Sequence, residues 1–359
     1  MDVLFLEPFY GGAHKYFVDH LRRYVPGKTR LISTPDRKWQ WRMRASGLYF
    51  ADKVCRLRRQ PEVIFASSFL NVAEFRGALP AKLRSIPVVL YFHENQFAYP
   101  NQNADIFDFQ FAIFQMSSAV SADRVIFNSC YNRDSFLAGA AKIPARFRMY
   151  FPTGLSAQVA RKSCVMPVPI PADCLKPANK QRSGPLQILW NHRWEHDKNP
   201  EEFFDVMRWL DRKGYDFIMN VCGEQYLEMP AIFKEVRIAL KHRIGHWGFA
   251  PSRRDYLKIL RASDVVVSTS RQEFFGVAMM EAVAAGCRPI VPDRLSYKEL
   301  YPDECRYKTK VQWRTLLSRM MHDPTGVRSE DSRHIAEKYN WVIWGKRYEE
   351  LLREVAGIQ

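Results

Sequence analysis

Two glutamates eight positions apart across a glycine, in the run Glu273-Phe-Phe-Gly-Val-Ala-Met-Met-Glu281, are the residues of this chain whose spacing says most about chemistry. They follow the apolar segment Asp264–Ser268. They precede an Ala-rich stretch closed by Gly286 and a second strand-like segment, Arg288–Pro292. A helix opening at Gly276 directs the backbone N–H groups of Phe275, Gly276 and Val277 out of its N-terminus, where the helix dipole favours an anion. Glu281 then falls on the second helical turn and Glu273 in the preceding loop, so both flank one bound molecule. A carboxylate accepts two hydrogen bonds at once, which suits vicinal hydroxyls. The arrangement reads as a nucleotide-sugar site.

Upstream, Trp190-Asn-His-Arg193-Trp-Glu-His-Asp-Lys198 follows a strand pattern and precedes a helical one. Arg193 and Lys198 are therefore expected at the carboxyl edge of a sheet, where ligands bind in open α/β folds. Two cations there neutralise a diphosphate leaving group as its charge builds. Gly223 and Phe249 also lie at strand ends. No Asp-x-Asp pair occurs in the sequence. A metal-dependent diphosphate site is therefore not expected, and neither is any other cofactor.

The first half carries a different set. Glu7-Pro-Phe-Tyr-Gly-Gly-Ala-His14-Lys15 follows the first strand, and Gly11 and Gly12 let the chain turn and approach a ligand closely. Tyr91-Phe-His93-Glu94-Asn95-Gln96 ends another strand with a polar cluster. Between them, residues 37–59 hold eight basic residues and one acidic one, interleaved with Trp39, Trp41 and Tyr49. Cations beside flat aromatics, here Lys38, Trp39, Trp41, Arg42 and Arg44, suit phosphate contacts together with stacked, unpaired bases.

The elements needed to position these groups alternate regularly, as in a parallel sheet covered on both faces. In the first half the pattern predicts strands at Val3–Glu7, Val63–Ala66, Val88–His93 and Val125–Asn128. Helices are predicted at Ala13–Tyr24, Ile106–Ser121 and Tyr131–Ala141. Met166-Pro-Val-Pro-Ile-Pro171 cannot be helical and reads as a hinge. A second series follows, with strands at Gln187–Asn191, Phe217–Cys222, Arg243–Trp247 and Asp264–Ser268. Its helices are Pro200–Lys213, Ala231–Leu240, Arg253–Ala262 and the motif helix, and Trp341–Val355 is amphipathic. Two Rossmann-like domains facing a cleft fit this order: 1–166 for the acceptor, 172–338 for the donor, and 339–359 as a helix returning to the first.

Composition sets the class. The 359 residues are 47% hydrophobic and 14% aromatic, enough for two cores. Seven cysteines without a C-x-x-C pair favour a reducing compartment and no structural zinc. The absence of a long apolar run and of a basic leader points to the cytoplasm, without membrane insertion. Lys and Arg number 54 against 38 Asp and Glu, a formal charge of +16. The excess concentrates in residues 1–170, with 23 basic and 12 acidic residues. A polyanionic partner on that half is the expectation, with an anionic membrane surface as the rival.

The Glu273–Glu281 run resembles the E-x7-E motif of retaining nucleotide-sugar glycosyltransferases of the GT-B fold, and Arg193 with Lys198 resembles their R-x4-K pattern. The resemblance implies that Glu281 holds the ribose. It implies that Glu273 and the Phe275–Val277 amides hold sugar and diphosphate, and that Gly223 and Phe249 lie around the base. The segments EPFYGGAHK, KWQWRMRASGLYF, FASSFLN, YFHENQFAYP and VIFNSCYNRDSFL resemble, in order, the N-terminal domain of the tRNA-queuosine mannosyltransferase family. That resemblance implies transfer of mannose from GDP-mannose to queuosine at the wobble position of tRNA for aspartate. His93 would then lie near the reacting centre, and His14, Glu94, Asn95 and Gln96 with the basic aromatic stretch on the acceptor side. The same chemistry on a lipid or polysaccharide acceptor, and a non-catalytic RNA-binding protein on this scaffold, are the alternatives. The oligomeric state is not legible.

Overall fold

The computed structural model describes residues 1–99, 109–146, 152–176, 183–225 and 229–358. The chain divides into two units: Met1–Pro169 with Trp341–Gln359, and Ile170–Asn340.

The first unit is built on β1 (Asp2–Tyr10), α1 (Gly12–Tyr24), β2 (Lys28–Pro35), α2 (Trp39–Cys55), β3 (Val63–Ser67), α3 (Val72–Ala78), α4 (Ala81–Arg84) and β4 (Val88–Phe92). It continues with α5 (Phe109–Ser121), β5 (Arg124–Phe127), α6 (Cys130–Arg146), α7 (Leu155–Arg161) and β6 (Ser163–Val165). The described strands form one sheet in the order β2-β1-β3-β4-β5-β6, and every pairing is parallel. The residues of β3 and β4 are all buried, as a central strand covered on both faces requires.

β1 runs three residues beyond the predicted Glu7, and the register with β2 shifts between Glu7 and Tyr10. The Glu7 side chain, at the end of the predicted strand, lies inside the unit and is 0% exposed. His93 lies just past the end of β4 rather than within it. The predicted helix from Ile106 is described only from Phe109, and residues 106–108 lie outside the described residues.

The second unit holds β7 (Leu186–Asn191), α8 (Pro200–Arg212), β8 (Phe217–Cys222), α9 (Ile232–Ala239), β9 (Ile244–Gly248), α10 (Arg253–Ala262), β10 (Val265–Val267) and α11 (Val277–Ala284). β11 (Arg288–Pro292), α12 (Tyr297–Leu300), β12 (Arg306–Tyr307), α13 (Lys310–His322), α14 (Pro324–Ser329) and α15 (His334–Glu337) complete it. Its sheet is again parallel, in the order β12-β11-β10-β7-β8-β9. Trp194 stacks on Phe233 at 4.0 Å in a core that also buries Trp190 and Trp313. The last helix, α16 (Trp341–Ala356), belongs to the first unit. Trp341 stacks on Tyr24 at 5.3 Å, and Tyr348 donates to the carbonyls of Met166 and Pro167 at 3.0 and 2.8 Å.

One buried charge pair anchors β10 in the second unit. Asp264 is 1% exposed, accepts from the Gln187 N–H at 2.8 Å, and pairs with Arg328 at 3.2 Å. Arg328 also donates to the carbonyls of Gly184 and Pro185, both at 3.0 Å. Removing one partner of such a pair strands the other charge in a low dielectric. Arg328→Met is expected to lower stability by about 3–5 kcal/mol in urea unfolding. Adding Asp264→Asn to that variant should recover part of the loss.

Candidate active site

In the second unit, four strand ends bring the predicted donor residues to one edge of the sheet. β10 runs into Ser268, Thr269 and Ser270, all 0% exposed, and the chain then turns through Glu273 to Gly276. Gly276 has φ +80°, a left-handed conformation that glycine adopts without strain, and α11 begins at Val277. The side chains of Phe274 and Phe275 are buried, and Phe275 packs edge-on against Tyr339 at 5.5 Å. The Phe275 ring therefore serves the core, and only its backbone remains to the turn.

Lys198 is 7% exposed on a short 3-10 turn after β7. Its ammonium donates to the Gln272 carbonyl at 2.9 Å and pairs with Asp197 at 3.2 Å and Glu273 at 3.4 Å. Burial alone would lower its pKa, but the Glu273 and Asp197 carboxylates outweigh it and hold the pKa above the ordinary value. The group is a fixed cation at neutral pH. Arg193 is half exposed beside Glu195, at 3.1 Å. His192, buried next to Arg193 in the chain, is pushed down to about 3 by desolvation first and by Lys198 second, so it is neutral. The sequence reading gave no role to His192 or Asp197. The nearest signal was their place inside the run Trp190–Lys198.

Glu281 is 7% exposed and already held within the unit. Arg253 donates to one oxygen at 2.8 Å and the Tyr256 hydroxyl to the other at 2.9 Å. Burial raises its pKa, opposed chiefly by Arg253. A carboxylate has about four acceptor positions, so two firm donors fix its orientation and leave room for a diol. Arg253 and Tyr256 were missed in the sequence because they lie on α10, distant in the chain from α11. Gly223 has φ +159°, and a Cβ there would sit 1.8 Å from the His192 carbonyl, so only glycine fits between those strand ends. Phe249 is 68% exposed, whereas neighbouring Trp247 packs edge-on against Trp194 at 5.2 Å.

In the first unit, Gly11 and Gly12 join β1 to α1. A Cβ at Gly11 would collide with the Asp36 carboxylate, and Gly12 has φ +48°. His14 and His93 lie ring against ring at 4.0 Å, with Glu7 3.3 Å from His14 Nδ1. Asn95 is 0% exposed and donates inward, to Asn132 at 2.8 Å and Ser135 at 3.0 Å. Its side chain locks the loop after β4 instead of facing an acceptor. The Gln96 N–H is held by Gln115 at 2.7 Å, and Gln115 donates to the Glu94 carbonyl at 3.4 Å.

The basic aromatic stretch is α2, preceded by Lys38 with φ 52°. Trp41 is 62% exposed. Trp39 is partly exposed and leans on Phe111 at 5.0 Å. Arg44 donates to Gln110 at 2.9 Å and lies over the Phe111 ring, while the Arg42 guanidinium donates to the Arg37 carbonyl at 3.2 Å. Met43, Phe50 and Val54 bury the opposite face of the helix. Among the described residues, no helix is long and apolar enough to cross a membrane.

Residues 2–170 match the sequence family described as tRNA-queuosine alpha-mannosyltransferase N-terminal, and residues 173–305 match glycosyl transferases group 1. A tRNA-queuosine alpha-mannosyltransferase of Drosophila melanogaster is 38% identical over 317 residues, which span 86% of this chain and 83% of that protein. Among solved structures, sucrose-phosphate synthase from Thermosynechococcus elongatus aligns over 99% of this chain and 100% of its own, at 15% identity and a TM-score of 0.74. Anabaena HepE in complex with UDP aligns over 99% and 100% at 14% identity and a TM-score of 0.71. These structural likenesses establish the fold, two Rossmann-like units of the GT-B class. The chain is a glycosyltransferase and belongs to the tRNA-queuosine alpha-mannosyltransferase family.

Proposed function

We propose that this enzyme transfers mannose, with retention, from GDP-mannose to queuosine at the wobble position of tRNA for aspartate. The observation that carries this reading is the 38% identity to a tRNA-queuosine alpha-mannosyltransferase, which runs through most of the chain rather than the donor motif alone. The site geometry supports it. Lys198 is a desolvated cation whose partners are already in place, and with Arg193 and the Gly276 turn it suits the departing diphosphate. Glu273, oriented by Lys198, is placed for sugar hydroxyls, and Glu281, oriented by Arg253 and Tyr256, for the ribose. The donor side needs no metal on this reading, because fixed cations supply the charge.

On the acceptor side, α2 presents Trp41 outward among arginines and lysines, which suits an unpaired anticodon base stacked beside its phosphates. Sited in this way, the enzyme works where tRNA is found, and we place it in the cytoplasm.

Nucleoside mass spectrometry of queuosine-containing tRNA after incubation with GDP-mannose or UDP-hexoses tests the reading. A hexose added to queuosine from GDP-mannose is expected. Addition from a UDP-hexose only would replace the donor, and transfer to no tRNA would discard the acceptor. Lys198→Ala and Glu273→Gln should each lower kcat by roughly 100- to 1,000-fold, as removal of a preorganised electrostatic contact does. Trp41→Ala should leave the melting temperature unchanged and weaken tRNA binding by about 1–3 kcal/mol in filter binding. Removal of one phosphate-contacting arginine, Arg44→Ala, should instead flatten the salt dependence of that binding.

A further inference from the structure

Glu7 is a fully buried carboxylate in the first unit. Its Oε1 accepts from the Phe9 N–H at 2.9 Å and the Ser67 hydroxyl at 2.8 Å, and lies 3.3 Å from His14 Nδ1. Its Oε2 is buried with no hydrogen-bond partner among the described residues. A carboxylate removed from water needs a cation, and among the described residues the ion pair available to Glu7 is with His14. Glu7 therefore favours a proton on His14.

The His14 ring stacks on Phe69 at 5.2 Å and lies 4.0 Å from His93, tilted by 32°. His93 is 8% exposed, with Phe17 and Tyr91 edge-on at 5.2 and 4.7 Å, and its carbonyl accepts from Asn128 at 2.7 Å. Burial first, and the neighbouring His14 second, hold His93 well below the ordinary imidazole range. Among the described residues, the phenols and the lysine nearest this trio in the chain and the fold are accounted for. Burial pushes the Tyr91 and Tyr348 phenols far up, so both stay neutral, and Lys15 turns to Asp19 at 2.6 Å. Glu94, half-buried, follows His93 in the chain.

Glu7, His14 and His93 bring their ligand atoms within 4.8 Å of one another, close enough to raise the question of a metal ion. The ring geometry answers it. Metal–imidazole bonds of about 2.0–2.1 Å lie in the ring plane, and ring centroids only 4.0 Å apart with planes tilted by 32° are crowded for two imidazoles on one tetrahedral ion. The trio is arranged to hold a proton.

We propose that Glu7 is a positioning residue for glycosyl transfer, acting through His14 to keep the His93 imidazole neutral and fixed at the end of β4. The proposal rests on the reading that places His93 beside the reacting groups. A neutral imidazole there donates to one oxygen and accepts from another, which a second imidazolium would forbid.

The test is the pH dependence of kcat, together with NMR titration of the His93 ring in the protein without substrates. In Glu7→Gln the His14 ring loses the carboxylate beside its Nδ1, so a proton there is disfavoured and opposes a charge on His93 less. The His93 pKa and the acid limb of kcat should then both move up by about one pH unit. His14→Gln should move them in the same direction, and Ser67→Ala by less, with the donor KM unchanged in all three. An unmoved His93 titration with a uniform loss of kcat would overturn the proposal. Stoichiometric zinc uptake by wild type that Glu7→Gln abolishes would also overturn it. The NMR titration reads the proposal without the reaction, whereas failure of the wild type to modify tRNA would strike the functional reading instead.

Discussion

Every strand pairing in both sheets is parallel, and a parallel sheet offers chemistry mainly along the edge where its strands end. All strand C-termini of one unit open on that edge, and each is followed by a turn that is free to carry polar groups. Glu273 follows β10, Arg193 and Lys198 follow β7, Gly223 follows β8, and Phe249 follows β9. His93 follows β4 in the first unit. The interiors of the strands are given over to burial, which keeps the edge in place.

At that edge the protein meets the cost of desolvated charge by pairing it in advance. Lys198 is held between two carboxylates and a carbonyl, and Glu281 between a guanidinium and a phenol. Groups fixed in this way need little reorganisation when the charge of a substrate changes, which is what stabilising a departing diphosphate demands. A related juxtaposition recurs with Glu7 and His14, where a buried carboxylate lies 3.3 Å from a buried imidazole nitrogen.

The two units differ in how they present side chains. In the second unit Lys198 and Glu281 are buried and bonded to neighbouring charged groups, an arrangement suited to a small ligand of fixed shape. On α2 the first unit instead exposes Trp41, Leu48 and Tyr49 among cations. Exposed aromatics among cations suit a large, irregular polyanion better than a sugar.

Much of this was legible in the chain. The Glu273–Glu281 run, the alternation of strands and helices, and the basic aromatic stretch are local patterns, and local patterns survive without coordinates. β2 and α2 were not recognised as elements. β2 is half-exposed with no clear alternation, and the buried face of α2, at Met43, Phe50 and Val54, is masked by its tryptophans and arginines. Asn95 illustrates the opposite error, since a polar residue beside a site looked outward in sequence and is spent inside on Asn132 and Ser135. The sequence by itself determined the class of fold, the donor motif and the family. Only tertiary structure decided which polar side chains stay at the exposed strand ends and which face one another. Pairs such as Arg253 with Glu281, Glu7 with His14, and His14 with His93 join different elements, and separation along the chain carries no record of them.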